Sequence, residues 1–352
     1  MSVYSAIGPS GFGSYRIEWV DGVPQFERVT EAPHRILVPG FVDVHIHGGF
    51  GIDFMSASRQ DMETLCRGLG REGYEHFLAT TVTASLDSVL KAFESLPDDP
   101  IVAGIHLEGP FISHAMPGAQ PKNSILEPAS ASDWDQVWQD PRLKIVTLAP
   151  EQPGALELTS RLLQRGVHVN MGHTNATYEE ARRGSEFGAR GVTHMFNAMR
   201  PFHHREAGTV GYALQDDGLF TELIYDRKHV CKEAAQLLFK CKPAGKVVAI
   251  SDGTQAIGLP PGNLIDLWGV PGIVGKEEVR TISGDTLAGS AVTLHTVFCN
   301  LAEDFGLETA IRCCCFNPRQ VLNLKETPKV WVEMDMHYKV IEIHSHLVTE
   351  SQ

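Results

Sequence analysis

No apolar run in this chain approaches the roughly 20 residues that a membrane-spanning helix requires, so no membrane partner is expected. Long basic runs are missing as well. The formal net charge is −13, which argues against nucleic acid as a partner, because such proteins need a basic face for the phosphates. An anionic small substrate needs only one or two local cations and stays open. The first residues, MSVYSAIGPSGFGSY, lack a basic start followed by an apolar core, and no secretory signal is expected. No CxxC pair occurs. The seven cysteines are odd in number and three are consecutive, Cys313 to Cys315, which suits reduced thiols in a cytoplasmic protein. Low-complexity tracts are also absent.

What is present begins with Pro39 to Gly49, reading PGFVDVHIHGG. An apolar strand ends in His45-Ile46-His47. Side chains at i and i+2 on a strand share a face, so the two imidazoles can reach one point while Ile46 packs the other way. Gly48 and Gly49 let the chain turn at once and leave that point open. Two converging imidazoles are a common way to hold a divalent metal.

Length allows one large domain, or one large and one small. Hydrophobic content of 43% and charged content of 21% are ordinary for a globular chain. Residues 15–20 and 25–29 read as small strands around a turn at Asp21-Gly22. From Arg35, eight short apolar runs follow, at 37–45, 75–82, 101–108, 143–149, 167–171, 191–195, 220–225 and 246–251. Helical spacing lies between several of them, at 61–69, 86–96, 155–163, 178–187 and 231–239. Gly73, Gly166, Gly188 and Gly245 stand just before the next strand, where helices end. Eight β-then-α units predict a (β/α)₈ TIM-type barrel over a doubly wound open sheet. Gly258 to Gly284 reads as a long loop, and Leu287 to Ser290 as the opening of a helix reaching Leu301. The runs 329–334 and 338–343 alternate like a terminal hairpin. The expected division is 1–37 and 317–352 as two parts of a small β domain, with 38–316 as the barrel.

Barrel enzymes carry their chemistry at the C-terminal ends of the strands. The first run ends in His45 and His47, the third in Glu108, and the fifth is followed by His173. The sixth carries His194, and the eighth is followed by Asp252. Six metal-capable side chains at one rim point to hydrolysis. A divalent metal acidifies bound water and polarises a carbonyl, and Asp252 can pass the proton to a leaving amine. Arg205 and His229 follow the sixth and seventh runs and could clamp a phosphate there.

At this point the chain resembles the N-acetylglucosamine-6-phosphate deacetylase family of the amidohydrolase superfamily. The carriers are PGFVDVHIHG, GIHLEGPFIS, GHTNATYEEA, VTHMFNAMRPFHHREAG, IYDRKHV, ISDGTQAIG and DTLAGSAVTL, in order from residue 39 to 294. The resemblance implies a (β/α)₈ barrel with a small β-sandwich built from both termini, a homodimer, and removal of acetate from N-acetylglucosamine 6-phosphate. It implies Glu108, His173 and His194 as ligands of the principal metal and Asp252 as general base and acid. Asn197, Ala198, Arg205 and His229 are implied as phosphate and sugar contacts. Ala119 and the Leu287-Ala288-Gly289 backbone are implied as further substrate contacts. Arg205 is expected to reach across the dimer.

Some members lack the HxH pair and use one metal; His45 and His47 here allow a second. Where many members have Gly-Ala-His after HLEGP, this chain has Gly118-Ala119-Gln120. A neutral Gln120 donates a hydrogen bond but cannot become an imidazolium. A second metal held by His45 and His47 and bridged by Glu108 is the expected substitute. One or two divalent ions per chain are therefore expected, zinc first, with iron, cobalt or manganese as alternatives. Three rival readings stand beside this one. They are a deacetylase of the galactosamine isomer, a cyclic amidohydrolase, and a non-catalytic sugar-phosphate-binding barrel. Cyclic amidohydrolases usually bridge two metals with a modified lysine, and Ala149-Pro150-Glu151 stands at that position instead.

Overall fold

The structure is a computed structural model describing residues 2–130, 133–282 and 286–345. Eight parallel strands form its centre: β1 (Phe41–Ile46), β2 (Tyr74–Thr80), β3 (Val102–Glu108), β4 (Leu143–Leu148), β5 (His168–Met171), β6 (Gly191–Val192), β7 (Phe220–Ile224) and β8 (Val247–Ile250). They pair in chain order. β8 meets β1 just beyond its end, where Ile46 bridges Gly253, the Asp252 amide donates to the His45 carbonyl at 3.0 Å, and the His47 amide donates to the Gly253 carbonyl at 2.7 Å. The barrel thus closes at the point where three of the predicted site residues stand.

The strands are short and almost wholly buried, as parallel strands covered by helices must be. The helix Arg59–Arg71 shows how each covering helix is specified. Ser58 and Asp61 cap its start reciprocally, and Met62, Leu65, Cys66 and Leu69 form its buried stripe. Tyr178–Glu186 begins with a second such cap, Thr177 with Glu180. Inside the barrel, Leu78, Ile145, Ile224, Val248 and Ile250 form an apolar cluster, against which Val321 and Leu322 pack. Thr80, Thr147 and Glu222 lie two residues from Leu78, Ile145 and Ile224, on the same faces of their strands.

The two termini build one six-stranded sheet. Its order is Val340–Ser345, Val330–Met334, Arg35–Pro39, Val3–Gly8, Gly11–Val20 and Val23–Arg28. The sandwich-like packing comes from this single sheet curling over. Phe26 on one edge strand lies 5.7 Å from Trp331, and Trp19 lies 4.3 Å from His344 on the other. Asp21 and Gly22, both at positive φ, make the expected hairpin turn.

Two expectations are corrected. The stretch read as a loop carries Leu264–Leu267, Val270–Val274 and Glu278–Thr281, which with Leu287–Ser290 form a four-stranded antiparallel sheet; Ser283 to Asp285 lie outside the described residues. Trp268 and Gly269 turn its first hairpin at φ 56° and 91°, a two-residue turn unmarked by the usual Asn-Gly signal. Leu287–Ser290 is accordingly a strand, and the helix begins only at Leu294 and runs to Phe305.

One buried ion pair joins β2 to the C-terminal segment. Arg319 Nη1 donates to Glu75 Oε2 at 2.8 Å, and the Lys329 amide donates to Glu75 Oε1 at 2.8 Å. Arg319→Met should therefore cost about 3–5 kcal/mol of unfolding free energy in urea, because it strands a buried carboxylate. Adding Glu75→Gln should recover most of that loss; a single-variant cost under about 1 kcal/mol would contradict the assignment.

Candidate metal centre

Each predicted ligand stands where a strand gives way to a turn. His45 lies within β1, His47 follows it, and Glu108 ends β3. His173, His194 and Asp252 follow β5, β6 and β8, all in left-handed backbone, at φ 46°, 30° and 47°. Non-glycine residues rarely adopt that region, and its strain is held here by the packed barrel rim.

The six side chains converge. Glu108 Oε1 lies 3.1 Å from His173 Nε2, 3.0 Å from His194 Nε2 and 3.5 Å from His45 Nε2. Glu108 Oε2 lies 3.5 Å from His47 Nε2. Asp252 Oδ1 sits 3.3 Å from His45 Nε2 and 3.2 Å from His47 Nε2. Two donor sets result, His45–His47–Glu108 and Glu108–His173–His194, sharing the one carboxylate. The His173 and His194 Nε2 atoms are 3.1 Å apart, and those of His45 and His47 3.3 Å. His47 turns Nδ1 to the Thr80 carbonyl at 3.1 Å and His173 turns Nδ1 to the Met116 carbonyl at 3.2 Å. With Nδ1 donating to a carbonyl, the neutral ring keeps its Nε2 lone pair for a metal. Imidazole nitrogens with carboxylate oxygens suit a divalent ion, and this arrangement fits one in each set.

Charge supports the same fit. Burial pushes the Glu108 carboxyl up, but the charges of His45 and His173 and hydrogen bonds from His173 and His194 outweigh it and hold the group well below its ordinary range. Burial likewise opposes ionisation of Asp252, yet the His47 hydrogen bond and the charges of His45, His47 and His194 bring it down to about 2. Burial drives the His45 ring toward neutrality, and Glu108, Glu222 and Asp252 overcome that to raise it well above its ordinary value. Among the described residues, the ion pairs of Glu108, Asp252 and Glu222 are all with histidine rings. Three buried carboxylates without a lysine or arginine partner call for cations.

Gln120, buried, has both ends of its amide engaged. Nε2 donates to Glu108 Oε2 at 2.6 Å, and Oε1 accepts from the Thr83 amide at 2.7 Å. It braces the shared carboxylate.

A pocket of about 240 Å³ opens over the centre. Ala119, Gln120, Asn197, Ala198, His229 and the stretch Leu287-Ala288-Gly289 all line it. Asn197 spends its amide on the His194 and Met195 carbonyls, both at 3.2 Å, and so holds the His194 turn. Gly289 is a steric requirement: at φ 67°, a Cβ there would lie 2.9 Å from the Asp252 carbonyl oxygen. His229 Nδ1 pairs with the buried Asp226 carboxylate at 2.6 Å. Arg205 is the exception. It is exposed, outside the pocket lining, in the protruding stretch 201–205 beside Phe202, which is 59% exposed.

Sequence reasoning missed Glu222, Asp226 and Trp268. Glu222 backs His45 from β7, and its signal was an acid inside the apolar Phe220-Thr221-Glu222-Leu223-Ile224. Asp226 stands three residues before His229, in a run already singled out. Trp268 lines the pocket, lies edge-on to His47 at 5.3 Å and donates Nε1 to Asp53 at 2.9 Å. Its glycine-rich surroundings carried no signal.

Stripping divalent ions with a chelator should lower the melting temperature, because the buried carboxylates lose their compensation. Restoring zinc at about 1,000 times its Kd should return roughly 4 kcal/mol. Identical melts with and without chelator would contradict a resident metal.

The amidohydrolase family model matches residues 36–327. An N-acetylglucosamine-6-phosphate deacetylase of Lysinibacillus sphaericus is 34% identical over 325 residues, 89% of this chain and 83% of that protein. An N-acetylgalactosamine-6-phosphate deacetylase of Escherichia coli O157:H7 is 33% identical over 342 residues, 91% of this chain and 90% of that one. The crystal structure of N-acetylglucosamine-6-phosphate deacetylase from Thermotoga maritima matches with a TM-score of 0.88 at 29% identity, over 97% of each chain. The chain belongs to the amidohydrolase family, in the branch whose named members include the deacetylases of N-acetyl amino sugar 6-phosphates.

Proposed function

We propose that this protein removes acetate from N-acetyl-D-glucosamine 6-phosphate, leaving D-glucosamine 6-phosphate. One observation carries the reading. Two histidine pairs share Glu108 beside Asp252, in a pocket that also presents His229.

A divalent ion bound at this centre lowers the pKa of water and polarises an amide carbonyl. The chain's own residues do the rest. Asp252, held ionised, takes a proton from the attacking water and returns it to the leaving amine. His229, oriented by Asp226, meets the phosphate, and Asn197, Ala198, Ala119 and the Leu287-Ala288-Gly289 backbone hold the sugar. Arg205 lies outside its own pocket, which supports a homodimer in which it reaches the neighbouring site. Residues 38–316 form the hydrolase unit, and zinc is the ion of choice, in a cytoplasmic setting. Similarity to the Escherichia coli enzyme keeps the galactosamine isomer as the second substrate to assay.

Acetate release from N-acetylglucosamine 6-phosphate, run beside the unphosphorylated sugar, tests the substrate. The phosphorylated form should react faster, and His229→Ala should erase most of that preference. Equal rates on the two sugars would remove the role given to His229 and Arg205. Asp252→Asn should lower kcat by roughly 10²- to 10⁴-fold. Replacing His45 and His47 with Ala should take away one ion per chain and slow turnover. Unchanged metal count and rate would sink the idea that a second ion substitutes for the missing histidine at Gln120.

A further inference from the structure

Glu222 takes no part in the chemistry above and does not line the pocket, yet it is a buried acid in the middle of β7. Its Oε2 lies 3.0 Å from His45 Nδ1 and accepts from the His194 amide at 3.3 Å. Its Oε1 accepts from Asn170 Nδ2 at 2.7 Å. The four metal-facing imidazoles are therefore not equivalent behind the metal. His47 and His173 back onto neutral carbonyls, and His194 Nδ1 has no hydrogen-bond partner among the described residues. His45 alone backs onto a carboxylate.

A carboxylate behind a ligand histidine fixes the tautomer and ring orientation and makes the other nitrogen a stronger donor. Here that other nitrogen is His45 Nε2, which faces His47, Glu108 and Asp252. Resting on the metal reading above, we infer that Glu222 is the positioning residue that lets the His45–His47 half hold a divalent ion of its own, with Asn170 fixing its carboxylate. The effect should be confined to that half. The Met195 amide donates to the Glu222 main-chain carbonyl at 2.8 Å, so the His194 turn keeps this anchor whatever side chain stands at 222.

The test is ion counting and zinc titration on the full-length chain, stripped with chelator and followed by calorimetry. The wild type should take up two Zn²⁺ per chain. Glu222→Gln keeps the side chain's size and removes its charge. It should retain the tighter Zn²⁺ and bind the second roughly 10- to 100-fold more weakly. Adding His45→Ala to Glu222→Gln should abolish that weakened second site and leave the tighter Zn²⁺ in place. Asn170→Ala should weaken the second Zn²⁺ in the same direction. Should Glu222→Gln fail to fold, Asn170→Ala decides, and an unchanged second affinity there overturns the inference. Two ions of wild-type affinity in Glu222→Gln overturn it as well. Equal loss of both ions does so too, since that would mark general disruption. A wild type that binds a single Zn²⁺ overturns both this role and the two-ion reading on which it rests.

Discussion

Glu108 is the interaction on which the rest of the structure depends. One carboxylate, buried at the end of β3, lies within 3.5 Å of four imidazole nitrogens drawn from three other strand ends. A bare buried carboxylate is costly, and each histidine around it offsets only part of that cost. A divalent cation at this point would offset that cost. Gln120 and the Thr83 amide then fix which way the shared carboxylate faces.

This demand explains where the backbone is strained. His173, His194 and Asp252 adopt left-handed conformations just past β5, β6 and β8, where the chain turns away and the side chain stays at the centre. Closure of β8 onto β1 through the Asp252 and His47 amides fixes the strands on either side of the centre. The four-stranded sheet adds the last wall. Its strand Leu287–Ser290 is tied to Asp252 by the Ser290 amide at 2.8 Å, an approach only glycine at 289 allows.

The pocket is two-sided around this centre. His229 and Asn197 bring polar groups from the loops after β7 and β6. Trp268, packed with Ala119 and Ala288, brings apolar surface. A phosphorylated sugar with a small acyl group has the same polarity along its length.

Local chemistry was legible along the chain because it is written within a few residues. The i, i+2 spacing of His45 and His47, the glycines ending helices and the eight apolar runs need no long-range contact to be read. The metal-capable side chains at the ends of the first, third, fifth, sixth and eighth runs also marked the rim in advance. Partnership was a different matter. His45 meets Glu222 across 177 positions, and nothing near either residue records it. The sharing of Glu108, the bracing of Gln120, the exclusion of Arg205 from its own pocket and the strands hidden in 264–281 were likewise decided by tertiary structure. The physical reason is that periodicity tells which face a side chain takes on its own element. Only barrel closure brings those faces to one point.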